Sequence, residues 1–457
     1  MLRRRPHPRT LAIGALALLL AAAPFVPHGS DDGAIRPSGD RKVGALGATP
    51  ALTAGASRIT PAMRAEIDRV VAAGQRAART IDGRGAGKAT PDQLAASLVR
   101  CAELDGQRYC LGNGWTEATP AQVQARVASA ARTALARRGT AAPLNTGDLG
   151  PAAALLREAR MSPAARAASD RAELEDAARS VAKVWLLRHD IEGVPLPHGF
   201  LRAHPEARAA VPAGARAATG RAASPSPTKS PTKSPTKSPT KSPTKAPTPS
   251  PTKLPTATPT KSAVKGYAAY PGWATILDPK DVAEQTQYWY CGPTSMQMLV
   301  WGWRHREQSQ DLWASRLHTT RSGTAITDMV RVVNRNTGWD RPARAGRYIV
   351  LDIGSYNFRK WRLLIMRHIH DYRAPVVLHP VLLKRFYPYL DDDASGHFQV
   401  GRGYRKLGDR PDQLGYFEPW NQQRFDPSEP YIARVQWREA YRSYRANEAH
   451  FQHNIGV

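Results

Sequence analysis

Residues 285–303 read Gln285-Thr286-Gln287-Tyr288-Trp289-Tyr290-Cys291-Gly292-Pro293-Thr294-Ser295-Met296-Gln297-Met298-Leu299-Val300-Trp301-Gly302-Trp303. Beyond Cys291, the apolar residues Met296, Leu299, Val300 and Trp303 recur at a helical period, which predicts a helix with a buried face. Gly292 and Pro293 suit the start or first turn of that helix. Cys291 therefore belongs at a helix N-terminus. There the unpaired N–H groups and the helix dipole favour the thiolate, the nucleophilic form of the side chain.

The rest of the chain frames that cysteine. It has 457 residues, 38 prolines, three cysteines, and 65 Lys+Arg against 38 Asp+Glu, a net charge of +27. The length allows roughly two to four domains. A 42 % hydrophobic fraction excludes a wholly disordered chain. Three cysteines exclude a disulfide-dense scaffold and a Cys-only zinc site. The positive charge is spread along the chain, and no segment combines a basic face with interleaved aromatics, so nucleic acid is not expected as a partner. Anionic cell-wall polymers fit a diffuse positive charge better.

Residues 1–30 read as an export signal. Arg3, Arg4, Arg5 and Arg9 precede an apolar run from Leu11 to Val26, and Ala21, Ala22 and Ala23 offer a cleavage region. The run is shorter than the ~20 residues of a membrane span, with an uncleaved anchor as the alternative. Residues 31–54 read as a flexible segment, 55–204 as an Ala/Arg-rich all-α domain, 205–262 as a Pro-Thr-Lys-Ser linker and 263–457 as the domain carrying Cys291. Within the linker the tetrad Lys229-Ser230-Pro231-Thr232 repeats. Proline at every fourth position blocks helix and sheet, and like charges repel, so an extended tether follows. Nine of the 11 Trp and 14 of the 15 Tyr lie beyond it, which puts the aromatic core there.

Before the tether, Thr60-Pro61, Thr90-Pro91, Thr119-Pro120 and Ser162-Pro163 each set a capping hydroxyl ahead of a proline, the pattern of a helix start. Met63, Ile67, Val70 and Val71 fall on one helical face, as do Leu174, Ala178, Val181 and Trp185. In an exported protein Cys101 and Cys110 would pair and close a short loop between two helices, with two free thiols as the alternative. No catalytic constellation is read here. A propeptide, a wall-binding module and an accessory domain all remain open for this region.

Pairing those two leaves Cys291 as an odd thiol, and a nucleophile needs a base. His397 is the best placed. It follows Ser395-Gly396 and precedes a strand-like stretch, Phe398–Tyr404; a turn at 408–412 and a second strand, Leu414–Glu418, come next. A hairpin centred near residue 408 sets His397 opposite residues 418–421, where Glu418 or Asn421 would orient the imidazole. His379 sits on an apolar strand as a core histidine. His368 and His370 lack the i, i+4 spacing of a zinc helix, and Asp391, Asp392 and Asp393 read as a solvated turn. No cofactor or metal is implied.

Gln285 six residues before Cys291-Gly292-Pro293, followed by Gly396-His397 on a strand, resembles the papain-like cysteine peptidases, and most of all the bacteriocin-processing, C-thirty-nine-like group. The resemblance covers about residues 265–457. It implies an α+β domain with a helical part packed on an antiparallel sheet. It also implies Cys291 as nucleophile, His397 as general base, Gln285 as an oxyanion donor with Gln287 as its rival, and Glu418 or Asn421 in the third role. That family uses Asp in the third role, where this chain has Glu418-Pro419. The expected activity is that of a secreted or wall-associated, monomeric cysteine peptidase acting on peptide or protein substrates. A thiol amidase or transpeptidase acting on wall peptides, and a catalytically degenerate binding protein, are the alternatives.

Overall fold

The computed structural model describes residues 59–82, 89–137, 144–209, 265–425, 427 and 430–457. The stretches expected to form an export signal (1–30), a flexible segment (31–54) and, beyond residue 209, a tether lie outside the described residues.

The four hydroxyl–proline pairs start helices as their chemistry requires. Thr60 and Ser162 accept from the N–H three residues on, and Thr90 and Thr119 form reciprocal capping boxes with Gln93 and Gln122. In chain order the region before the tether runs α1 (Pro61–Asp82), α2 (Pro91–Leu98), β1 (Cys101–Leu104), β2 (Gln107–Cys110), β3 (Gly114–Trp115), α3 (Pro120–Ala136), α4 (Pro151–Arg160), α5 (Pro163–Ala178), α6 (Val181–Leu187) and α7 (Phe200–Ala203). After the tether come β4 (Trp273–Thr275), α8 (Cys291–Arg304), α9 (Gln310–Arg316), α10 (Ile326–Asn336), β5 (Val350–Asp352) and α11 (Phe358–Met366). The chain ends with β6 (Val376–Leu378), β7 (Gln399–Leu407), β8 (Arg410–Phe417), α12 (Gln422–Phe425), β9 (Val435–Glu439), α13 (Ala440–Glu448) and β10 (Asn454–Gly456). The fold is α+β.

One sheet runs β1-β2-β3-β5-β10-β6-β7-β8-β9, with β4 added on β7. Its pairings are antiparallel except β3 with β5, where Trp115 stands opposite Leu351. The sheet thus joins residues from both sides of the tether. A common core does the same, with Trp115, Leu174 and Val181 clustered with Trp361, Val377 and Phe398. Asp352 clamps the seam, accepting from Thr116 Oγ1 at 2.8 Å and from Arg126 at 2.9 Å.

The region before the tether is therefore not all-α, because β1–β3 interrupt its helices. The turn between β1 and β2 is Asp105-Gly106, both with positive φ (49° and 74°), the two-residue hairpin turn that suits strand twist. Cys101 and Cys110 are directly opposed across this hairpin and form the disulfide. The bridge was expected between helices and instead joins two strands. Closing a loop this short contributes about 2–3 kcal/mol on the chain-entropy model. Dithiothreitol should lower the urea midpoint accordingly, and the Cys101→Ser, Cys110→Ser chain should match the reduced protein. Folded structure also continues past 204. The 3₁₀ turn Pro205–Ala209 buries Ala207, and His204 bonds Asp105 at 2.7 Å, so the linker begins later than its composition suggests.

Lys183 on α6 is buried, and its Nζ has no hydrogen-bonding partner among the described residues. Its Nζ lies over the Tyr348 ring at 5.3 Å. Burial drives its pKa well below the ordinary lysine value. The charged form is therefore less favourable in the native state than in the unfolded chain, so this residue opposes folding where the unfolded chain carries the charge. That opposition fades as pH rises toward the unfolded value of about 10.4. Lys183→Met should stabilise by about 1–3 kcal/mol at pH 7, and the gain should shrink in melts at alkaline pH. Among the described residues, no helix is long and apolar enough to cross a membrane.

Candidate functional site

Cys291 is the first residue of α8, and residues 291–300 of that helix are all buried. Gly292 lets the helix start press on the 323–324 loop; a Cβ there would stand 2.5 Å from Thr324 Oγ1. One turn on, Ser295 Oγ donates to the Phe398 carbonyl at 3.2 Å and fixes α8 against the start of β7. The N–H groups of Phe398 and Gly292 point toward the Cys291 sulfur. His397 precedes Phe398, so the hairpin end that carries the imidazole adjoins the helix that begins at Cys291.

The β7–β8 hairpin has the expected centre, with Leu407 opposite Arg410. Its far end sets His397 Nε2 2.7 Å from Glu418 Oε1, both side chains being fully buried. The extra methylene of Glu is accommodated. Trp420 N–H also donates to Oε1 at 2.9 Å, while Gln399 Nε2 and Tyr389 Oη donate to Oε2 at 2.7 and 2.9 Å. Burial alone would raise the Glu418 carboxyl. The charge of His397 and these hydrogen bonds outweigh burial and hold it below its ordinary value. His397 Nδ1 is buried and has no hydrogen-bonding partner among the described residues.

Asn421 does not reach the imidazole. Its amide donates to Glu284 and its carbonyl oxygen accepts from Arg424 N–H. Of the two candidates for the third role, only Glu418 contacts His397. Gln285 is fully buried, and its N–H accepts position from the same strand end by donating to the Pro419 carbonyl at 2.8 Å. Its Nε2 faces the carbonyls of Tyr288, Gln287 and Thr146 at 2.9, 3.0 and 3.3 Å. The rival Gln287 is exposed and meets Gln285 through its backbone only.

The contact with Thr146 discloses what the sequence did not. Residues 144–149, from the region before the tether, pack against the Cys291 helix start, where a Cβ on Gly147 would stand 2.8 Å from Cys291 N. The same segment carries Asp148, whose carboxylate lies between His379 and His450, at 2.8 Å from one Nε2 and 3.0 Å from the other. His450 Nδ1 accepts from Gln452 N–H, so its Nε2 bears the proton and donates to Asp148. His379 Nδ1 faces Asn454 Oδ1 at 2.8 Å, an oxygen whose amide partner donates to Asn113. These three side chains are close enough to hold a cation. Their hydrogen bonds instead match a carboxylate held by two N–H donors. Burial, followed by the neighbouring His379, lowers His450 to about 4 and leaves it neutral. His379 is buried as expected of a core histidine, stacked on Phe398.

Cys291 is not a thiolate in this arrangement. Burial first, then the Asp148 charge, push the thiol well above its ordinary value, and the Phe398 and Gly292 N–H groups do not offset them. The helix-start expectation fails here because it took no account of the thiol's full burial, nor of a carboxylate arriving from 143 positions upstream, the separation of 148 from 291. His368 bonds the Ala374 carbonyl, and Asp391, Asp392 and Asp393 are exposed. Comparison with protein-family profiles, curated proteins and solved structures found no match.

Proposed function

We propose that this protein is a cysteine peptidase of the papain-like type, with Cys291 as nucleophile, His397 as general base and Glu418 as the group that orients it. The observation that carries the reading is the polarity of His397. Nε2 is bound to a buried carboxylate, and the buried Nδ1 has no hydrogen-bonding partner among the described residues, on a strand end held against the helix that begins at Cys291.

In this reading His397 Nδ1 takes the Cys291 proton and the thiolate attacks a peptide carbonyl. Gln285 Nε2 and the Cys291 N–H hold the oxyanion; one such donor contributes about 2.7–4 kcal/mol in comparable sites. Glu418 stabilises the imidazolium, which then protonates the leaving amine, and water hydrolyses the thioester. No cofactor is required. The Cys101–Cys110 disulfide favours an oxidising compartment and so supports export through residues 1–30.

Because residues 144–149 pack against the Cys291 helix start, the test uses the Gly147→Val, Asp148→Ala chain, in which that packing is broken. This chain should cut peptides in a mixed library. Absence of cleavage from a chain that still melts cooperatively would remove the peptidase reading.

A further inference from the structure

Residues 144–149 lie against the Cys291 helix start as an irregular segment, bent at Gly147 and bonded on both sides. On one side Ser395 N–H donates to the Leu144 carbonyl at 3.2 Å, Thr146 N–H donates to Ser395 Oγ at 2.9 Å, and Thr146 Oγ1 donates to the Gly396 carbonyl at 2.8 Å. On the other, Thr324 N–H donates to the Gly147 carbonyl at 2.8 Å and Leu149 N–H to the Thr324 carbonyl at 2.9 Å. Peptides bind grooves in this way, with main-chain bonds for affinity and pockets for alternate side chains. The Thr146 carbonyl accepts from Gln285 Nε2. Gly147 follows with φ 118°, and a Cβ on it would stand 2.6 Å from the Trp289 carbonyl and 2.8 Å from Cys291 N. Only glycine fits there. Next comes Asp148, its side chain 3 % exposed, seated between His379 and His450.

We infer that the cleft beside Cys291 selects peptides in which a glycine and then an acidic residue follow the carbonyl held by Gln285, and that the chain's own Thr146-Gly147-Asp148 occupies it as a built-in closure. The inference rests on the proposed peptidase reading for its chemistry, but the closure and the acid pocket rest on geometry alone. Two histidines that converge from β6 and the β10 approach on one carboxylate are a recognition pocket for an anion. Glycine specificity arises from the absence of room at Trp289 and Cys291.

The test reads thiol access, which does not depend on catalysis. With Cys101 and Cys110 bridged, Cys291 is the chain's one thiol among three cysteines. In the full chain carrying Gly147→Val and Asp148→Ala, iodoacetamide should label Cys291 about tenfold faster or more than in the unsubstituted chain. An unchanged rate would overturn the closure. Should the double variant fail to melt cooperatively, Asp148→Asn, which keeps the side chain's shape, serves for the same comparison. The synthetic peptide Leu-Asn-Thr-Gly-Asp-Leu-Gly should then slow labelling, whereas Leu-Asn-Thr-Gly-Ala-Leu-Gly should not. Equal protection by both peptides would overturn the acid pocket. Turnover of either peptide is scored separately. Selective protection without turnover keeps the pocket and removes the peptidase; turnover without selectivity does the reverse.

Discussion

A chain carrying Glu418→Ala should lose about 3 kcal/mol of stability or more, because each buried donor left without an acceptor costs about 1–3 kcal/mol. Four donors converge on that carboxylate: His397 Nε2, Trp420 N–H, Gln399 Nε2 and Tyr389 Oη. Alanine would leave all four in the core without an acceptor. Glu418→Gln should be milder, but its amide nitrogen would face Gln399 Nε2 and Tyr389 Oη, donor against donor. Acid should act in the same direction. Glu418 is held below its ordinary value in the native state, so its contribution is present above the unfolded value of about 4.3 and fades as pH falls below it. Urea melts of the three chains at pH 7 and pH 3.5 check this. Near-identical midpoints at pH 7 would mean that the carboxylate does not anchor the hairpin end.

The second large effect concerns activity. In the Gly147→Val, Asp148→Ala background, adding Cys291→Ala should abolish hydrolysis, a loss of about 10⁶ in kcat where a comparable nucleophile is removed. Stability should change little by comparison, because the thiol contributes a small buried volume and no strong hydrogen bond. His397→Ala should lose about as much activity, since residues that act as a unit are not additive. Residual hydrolysis at the parent rate in the Cys291→Ala chain would place the chemistry elsewhere.

The parts of this site that lay in one short stretch could be read from sequence. The helix period after Cys291 and its Gly292-Pro293 start mark where α8 begins, and simple hairpin counting from residue 408 brings His397 to Glu418. Glu418 and Asn421 could not be separated by counting, because three residues of loop allow either to turn inward. Asn421 turns to Glu284 and Glu418 to His397. The strands β1–β3 were missed although their signal is present: Asp105-Gly106 is a hairpin turn, but the flanking strands are four residues each and sit among strong helix starts. Thr146, Gly147, Asp148 and His450 gave no signal at all. Asp148 meets His450 across 302 positions, and a loop containing Asn145, Gly147 and Gly150 looks like any turn between helices. Long-range pairing of this kind is set by tertiary packing, which local periodicity does not encode.

The central claim is that Cys291 attacks with His397 as its base. The most direct test mixes the Gly147→Val, Asp148→Ala chain with an activated acyl ester, quenches early in acid and measures intact mass. A burst of released alcohol, matched by one acyl group mapped to the peptide containing Cys291 and lost on His397→Ala, is the predicted result. Steady product release with no adduct on Cys291, at a rate indifferent to His397→Ala, would contradict it.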